Sequence, residues 1–115
     1  MDHFQTPRNA GALENYDGVG EASLDGRAPR MKIYVALENG LISRAGFETF
    51  GCGVSIACGS ALTELALGRA PTECLEISED ELIRAVDGVP QEKRFCADLA
   101  VRALHSAVSQ YLARQ

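Results

Sequence analysis

The sequence predicts an α+β fold, with helices packed on one face of a small antiparallel β-sheet of about three strands. Two observations support this prediction. The first half of the chain carries the two-residue hydrophobic period of strands, and the second half carries the period of helices. At 115 residues the chain has the length of one domain, so we expect residues 1–115 to form a single compact unit.

The strands are predicted from alternation and from one turn. Apolar side chains alternate with mostly polar ones at Met31, Ile33, Val35 and Leu37. Glu38-Asn39-Gly40 predicts a hairpin turn, because Asn and Gly tolerate positive φ. Leu41 to Phe50 then returns as the antiparallel partner. A further strand is expected near Gly20 to Leu24, after a short helical turn around Asp2 to Thr6.

Three helices are predicted after the strands. The first has an apolar stripe at Val54, Ala57, Cys58, Ala61, Leu62, Leu65 and Ala66. It ends at Gly68, and Ser78 with Glu81 forms a capping-box pattern that opens a second helix running to about Asp87. The last helix begins near Lys93 to Cys96. Its predicted buried face is Leu99, Ala100, Ala103, Leu104, Ala107, Val108, Tyr111 and Leu112.

Charge and composition exclude several classes of function. A net charge of -5 argues against general nucleic-acid binding, which needs a basic surface. No apolar run approaches the roughly 20 residues that span a bilayer, and the N-terminus lacks the apolar stretch of a signal peptide, so we expect a cytoplasmic protein with no membrane partner. In that compartment the four cysteines are expected to be free, metal-binding or redox-active rather than a disulfide framework.

Cys52 lies between two glycines in FGCG, at the predicted junction of strand and helix. A helix N-terminus stabilises an anion, so this thiol should ionise readily and bind a metal or attack a disulfide. The alternative is a small apolar residue in a tight turn. We favour the functional interpretation, because the flanking Gly51 and Gly53 leave the side chain approachable.

Cys96 is predicted at the first turn of the last helix, beside Lys93 and Arg94. Two cations and a helix N-terminus all favour its thiolate. The alternative is that Cys96 caps the buried stripe of the helix, three residues before Leu99.

The other two cysteines are predicted to be structural. Cys58 falls on the apolar stripe, and a continuous helix carries it ~9 Å along the axis and ~240° around from Cys52. Cys74 lies in a polar stretch without flanking glycines or a partner of opposite charge, so we expect a semi-buried filler.

Neither histidine completes a metal site by spacing. His105 is predicted ~180° around the last helix from Cys96, on the solvent side, and the surroundings of His3 cannot be read from local sequence. No Ser-His-Asp spacing, phosphate loop or paired carboxylate stands out, so the chain is not expected to be an enzyme.

Three segments in order, DHFQTPRNAG, FGCGVSIACGSALTEL and VPQEKRFCADLAVRALHSAVSQYL, resemble the iron-sulfur cluster scaffold proteins of the IscU and NifU N-terminal type. The resemblance implies a small sheet with helices on one side. It also implies a nascent [2Fe-2S] cluster, or a zinc ion, held by three cysteines and an Asp or His, with sulfur from a cysteine desulfurase and transfer to acceptor proteins. By position, Cys52 matches the family's middle cysteine and Cys96 its last.

The chain departs from the family pattern at several places. No cysteine precedes Cys52, and alignment on the MK pair of the hairpin places Arg27 and Pro29 where the family has its first cysteine and an aspartate. Phe95 stands where the family often has histidine. Val89-Pro90-Gln91-Glu92-Lys93 replaces the Pro-Pro-Val-Lys segment that family members offer to a chaperone.

Two thiolates are fewer ligands than such a site requires, since a [2Fe-2S] cluster takes four ligands, as does structural zinc. Three additions are open: a homodimer in which each subunit contributes Cys52 and Cys96, a contribution from the nearby Asp25, or small thiols that complete the shell.

Three hypotheses therefore stand. The leading one is a cluster assembly scaffold that binds iron or a [2Fe-2S] cluster through Cys52 and Cys96. The second is a degenerate relative that acts as an interaction module without a cluster. The third is a thiol or persulfide relay through the same two thiols.

Overall fold

The computed structural model describes residues 9–24, 27–50, 53–86 and 88–114. Within these residues the chain forms three strands, four α-helices and one short 3-10 helix. In chain order the elements are β1 (Gly18–Leu24), β2 (Arg27–Glu38), β3 (Leu41–Phe50), α1 (Gly53–Ala66), α2 (Pro71–Cys74), α3 (Glu79–Ala85), the 3-10 helix (Gln91–Lys93) and α4 (Arg94–Ala113). The predicted α+β fold is thereby confirmed, with strands first and helices after.

The sheet is antiparallel and has the strand order β1-β2-β3. Its β2-β3 hairpin turns at Asn39 and Gly40, whose φ angles of 56° and 80° are the positive values that a tight two-residue turn requires. Strand β2 begins earlier than the alternation predicted, at Arg27, because pairing with β1 and β3 extends it beyond the half-buried stretch.

One face of the sheet carries the core. Ile33 and Val35 are fully buried there and belong to one cluster with apolar residues of the helices. Helix α4 packs on β1 and β2, and α1 packs on β3. Each strand therefore contributes to the layer on which the two long helices pack.

Helix α4 approaches β1 very closely. A Cβ atom added at Gly20 would lie 2.3 Å from the backbone nitrogen of Ala107 and 2.4 Å from the carbonyl oxygen of Ala103. Only glycine fits under the helix at this position. The contact fixes the height of α4 above the sheet, and with it the position of the helix start that carries Cys96.

The opposite face of the sheet is partly covered by residues 9–17. This segment pairs first with the outer edge of β3, where the Gly11 amide donates to the Phe47 carbonyl at 2.7 Å and the Phe47 amide to the Asn9 carbonyl at 3.1 Å. Farther along, the Tyr16 ring meets Tyr34 edge-to-face at 5.3 Å. The free edge of β3 is thus partly paired, as exposed edge strands in proteins commonly are.

Helix boundaries agree well with the capping signals. The Ser78 hydroxyl accepts a hydrogen bond from the Glu81 amide at 3.0 Å at the start of α3, and Gly68, with φ +82°, follows the end of α1. The four-residue helix α2 was not predicted. The predicted buried face of α4 is confirmed except at its end, where Tyr111 is half-buried and Leu112 is 36% exposed. The helical turn expected around Asp2 to Thr6 lies outside the described residues.

No helix in the described part of the chain is both long enough and apolar enough to cross a membrane.

Candidate functional site

The starts of the two long helices meet at a buried sulfur. Ser55 is the third residue of α1 and Cys96 the third residue of α4. The Ser55 hydroxyl donates a hydrogen bond to the Cys96 sulfur across 3.2 Å. Ser55 is 3% exposed and Cys96 is 1% exposed. The sulfur thus lies in the first turn of one helix and beside the first turn of another, where both helix dipoles favour negative charge.

Cys52 lies outside the described residues, as do Asp25 and His3. In the sequence, Cys52 stands directly before Gly53, the first residue of α1, and three residues before Ser55. The pairing of Cys52 with Cys96 stays a prediction.

Arg94 does not take the role that the sequence suggested for it. Its guanidinium pairs with the Glu79 carboxylate at 3.0 Å and with the Asp80 carboxylate at 3.2 Å, both in the first turn of α3. The hydrogen bonds that Arg94 donates, to Asp80 above all and also to Glu79, raise the pKa of Arg94 above its ordinary value. This cation therefore links α4 to α3 rather than serving the Cys96 sulfur.

Cys58 and Cys74 are core residues. Cys58 is fully buried on the inner side of α1, which confirms its predicted place on the apolar face of that helix. Cys74 is also fully buried, whereas the sequence predicted a semi-buried position, because the unpredicted helix α2 turns it inward. Burial raises the pKa of the Cys74 thiol above its ordinary value, and its sulfur lies 4.0 Å from the Ala66 carbonyl oxygen.

The prediction that His105 is a solvated surface residue is wrong. The ring is half-buried, and its Nε2 lies 3.2 Å from the Ile77 carbonyl oxygen. The helical periodicity of α4 does place His105 away from Cys96. However, the segment between α2 and α3 folds against that side of the helix and covers it.

The described residues do not contain a complete metal site. Among them, no three His, Cys, Asp or Glu side chains converge closely enough to hold an ion. Phe95, at the position next to Cys96, is half-buried and packs against the core, so it supplies no ligand. Any site built on Cys96 therefore requires ligands from outside the described ranges or from another molecule.

An exposed apolar flank lies beside the entrance to α1. Phe50, the last residue of β3, is 65% exposed, and the Arg30 guanidinium stacks 5.8 Å from its ring centroid. An open groove of about 410 Å³ runs between this end of β3 and Ile56 of α1. The surface between the end of β3 and the first turns of α1 is thus open and partly apolar.

Ser55 is the residue of this site that the sequence reasoning missed. It lies next to Val54, which belongs to the apolar stripe, and a serine in a first helical turn is usually read as a solvated or capping residue. No local signal marked it, because the residue it contacts, Cys96, lies 41 positions away in the sequence.

The whole chain, residues 1–115, matches the family model described as the NifU-like N terminal domain. It is 40% identical over 111 residues to the iron-sulfur cluster assembly scaffold protein IscU 1 of Archaeoglobus fulgidus, covering 96% of this chain and 72% of that protein. It is 38% identical over 117 residues to the scaffold protein IscU of Aquifex aeolicus, covering 100% of this chain and 74% of that protein.

The fold also matches solved structures. One is the N-terminal part of a nitrogen-fixing NifU-like protein from Brucella abortus, with a TM-score of 0.80, 13% sequence identity, and coverage of 100% of this chain and 92% of that one. At this identity the likeness concerns the fold alone, but it agrees with the sequence matches. The chain belongs to the NifU-like N-terminal domain family.

Proposed function

We propose that this protein is a scaffold of iron-sulfur cluster assembly, which holds iron or a nascent [2Fe-2S] cluster on cysteine thiolates and passes it to acceptor proteins. The relatives at 38–40% identity carry the name of cluster assembly scaffold proteins. The observation that carries the proposal at the level of chemistry is the Ser55-Cys96 contact, which surrounds a sulfur with a hydrogen-bond donor and two helix starts.

Cys96 and Cys52 are the proposed ligands. Thiolates are the ligands that iron-sulfur clusters use, and zinc is also suited to such a site. Two thiolates per chain leave the ligand set incomplete. A second subunit that contributes the same two cysteines brings the set to four. In a single chain, Asp25 and a small thiol each supply one further ligand. A cluster bound in this way is weakly held, which suits a cargo that must leave.

Loading requires a movement at the helix starts. Cys96 is only 1% exposed in the present conformation, so iron cannot reach its sulfur while α1 lies against α4 at this point. The start of α1 is the element that has to open, because α4 is seated on β1 through Gly20, and it returns against Cys96 once the metal is bound. The protein acts here as a carrier and not as an enzyme.

The proposed partners follow from the family. A cysteine desulfurase supplies the sulfur, acceptor proteins take the cluster, and the cytoplasm is the proposed location. Nucleic acids are not proposed as partners, because a chain with a net charge of -5 lacks the basic surface that binds their phosphates.

Anaerobic reconstitution with iron and sulfide tests the function. We expect visible charge-transfer absorption in the parent chain and its loss in Cys52→Ser. Metal content near one cluster per two chains favours the shared site. A parent protein that folds but forms no cysteine-dependent chromophore contradicts cluster binding.

A second candidate function is an interaction module that binds no cluster. It is favoured by one observation: the described residues offer no convergent group of three ligating side chains. This alternative predicts that the Cys52→Ser, Cys96→Ser double variant binds a cysteine desulfurase as tightly as the parent does, in a pull-down or by calorimetry. Loss of that binding in the folded variant counts against it.

A further inference from the structure

We propose that Ser55 is a positioning residue for Cys96: its hydroxyl orients the sulfur and donates a hydrogen bond to it when the thiolate holds iron. The inference rests on the proposed function, since it concerns one of the proposed ligands. Ser55 lies on α1, whereas the proposed ligand Cys96 lies on α4.

The geometry of the contact supports this role. The donor oxygen and the sulfur are 3.2 Å apart, a short distance for a hydrogen bond to sulfur. Both residues are almost fully buried, so water competes little for either atom. The donor is anchored on α1 and the acceptor on α4. The bond therefore also fixes the distance between the two helix starts.

The polarity of the contact suits a thiolate. A neutral sulfur is a weak acceptor, whereas hydrogen bonds to an ionised acceptor are roughly twice as strong as neutral ones. The contact thus stabilises the charged, metal-binding form of Cys96 more than the thiol. Hydrogen bonds to the sulfurs of an iron-sulfur cluster are among the factors that set its reduction potential.

Another buried hydroxyl of the same helix provides a contrast. The Thr63 hydroxyl donates to the Ser60 carbonyl at 2.8 Å and accepts from the Asn9 side-chain amide at 3.1 Å. Its contacts tie α1 to the N-terminal segment and do not involve a sulfur. Thr63→Val removes a buried hydroxyl of α1 with little change in shape, and is therefore a matched control for Ser55→Ala.

The first experiment measures the reduction potential of the anaerobically reconstituted protein. We expect Ser55→Ala to shift the midpoint potential to a more negative value, because the reduced, more negative cluster loses a hydrogen-bond donor. Ser55→Thr, which keeps a hydroxyl, should have a midpoint potential close to that of the parent. Thr63→Val should leave the potential at the parent value. A cluster with an unchanged potential in Ser55→Ala overturns the positioning role.

The second experiment uses the metal-free protein. A hydroxyl proton held in a buried hydrogen bond exchanges slowly with water and gives its own NMR resonance. We expect such a resonance for Ser55 in the parent, and a change in its position or its exchange rate in Cys96→Ala. A Ser55 hydroxyl proton without protection, or one insensitive to Cys96→Ala, overturns the hydrogen bond itself.

The two measurements separate the possible failures. If the parent forms no chromophore while the Ser55 proton responds to Cys96→Ala, the proposed cluster function fails although the hydrogen bond is real. If the chromophore forms but neither the potential nor the proton responds, the scaffold function stands and Ser55 is only a packing residue.

Discussion

Cys96 and Cys74 are buried to almost the same degree, at 1% and 0% exposure, yet their sulfur atoms face opposite polarity. Cys96 lies at a helix start and accepts a hydrogen bond from the Ser55 hydroxyl. Cys74 is the last residue of α2, and its sulfur lies near a carbonyl oxygen, that of Ala66. One environment favours a thiolate, and the other favours a thiol. Burial alone therefore does not separate the proposed ligand Cys96 from the core cysteine Cys74, whereas the polarity of the neighbouring groups does.

The largest effect we expect is a loss of cluster in only one of two matched variants. Cys96→Ala should abolish the iron-dependent chromophore, because it removes a proposed ligand. Cys74→Ala should retain it at the parent yield per folded chain, since that sulfur faces a carbonyl in the core. Iron and sulfide analysis after anaerobic reconstitution checks both. Equal losses in the two variants would remove the distinction between the sulfurs.

The packing of α4 on β1 at Gly20 fixes the position of the helix that carries Cys96. Gly20→Ala inserts a methyl group 2.4 Å from the Ala103 carbonyl, so α4 must lift from β1. We expect a loss of about 3 kcal/mol in the free energy of unfolding. Urea denaturation measures it, with the exposed neighbour Glu21→Ala as a control that should cost less than ~1 kcal/mol. An unchanged free energy of unfolding in Gly20→Ala would mean that the contact with β1 does not fix the position of α4.

The pH dependence of stability tests the environment of Cys74, the second cysteine of the comparison. Burial raises the pKa of Cys74 above its ordinary value of 9.0, so the folded state keeps the proton when the unfolded state loses it. The contribution of this thiol is complete below that ordinary value and is lost as the pH rises toward the folded-state pKa. The free energy of unfolding should therefore fall, by at most ~1.4 kcal/mol per pH unit.

Cys74→Ala isolates this contribution. Its unfolding free energy, measured by urea denaturation from neutral pH to about pH 10, should decline less steeply than that of the parent. Parallel curves for the two proteins would show that Cys74 ionises equally well in both states, and its environment would then not differ in the way described.

The smallest effect is expected at Arg94. Its guanidinium is half-exposed and already paired with Glu79 and Asp80. Arg94→Gln should therefore leave the yield and the absorption spectrum of the reconstituted cluster unchanged, and should shift the thermal midpoint less than Gly20→Ala does. A clear loss of chromophore in Arg94→Gln would show that the Arg94 charge is needed for cluster binding at Cys96.

Much of the fold could be predicted, because its signals are local. The alternation in β2, the Asn39-Gly40 turn and the Ser78 cap depend on neighbours within a few residues. The four-residue helix α2 was missed since it has no room for a helical period. His105 was misplaced for a related reason, because a helical wheel does not show which loop folds over a given side.

Only part of the candidate site, the position of Cys96, could be predicted from the sequence. The position of Cys96 at a helix start could be predicted from the apolar periodicity of α4. Its partner Ser55 could not, because that contact joins residues 41 positions apart through the packing of α1 on α4. The pairing of Arg94 with α3 was missed for the same reason, as proximity in sequence to Cys96 suggested a contact that tertiary structure does not make.

The most direct measurement is the visible absorption of the reconstituted Cys58→Ala, Cys74→Ala double variant, in which Cys52 and Cys96 are the only thiols left. Circular dichroism of the same sample confirms that it is folded. We predict the chromophore and the iron content per chain of the parent. A folded double variant that forms no chromophore, while the parent does, would contradict the assignment of Cys52 and Cys96 as the cysteines that hold the cluster.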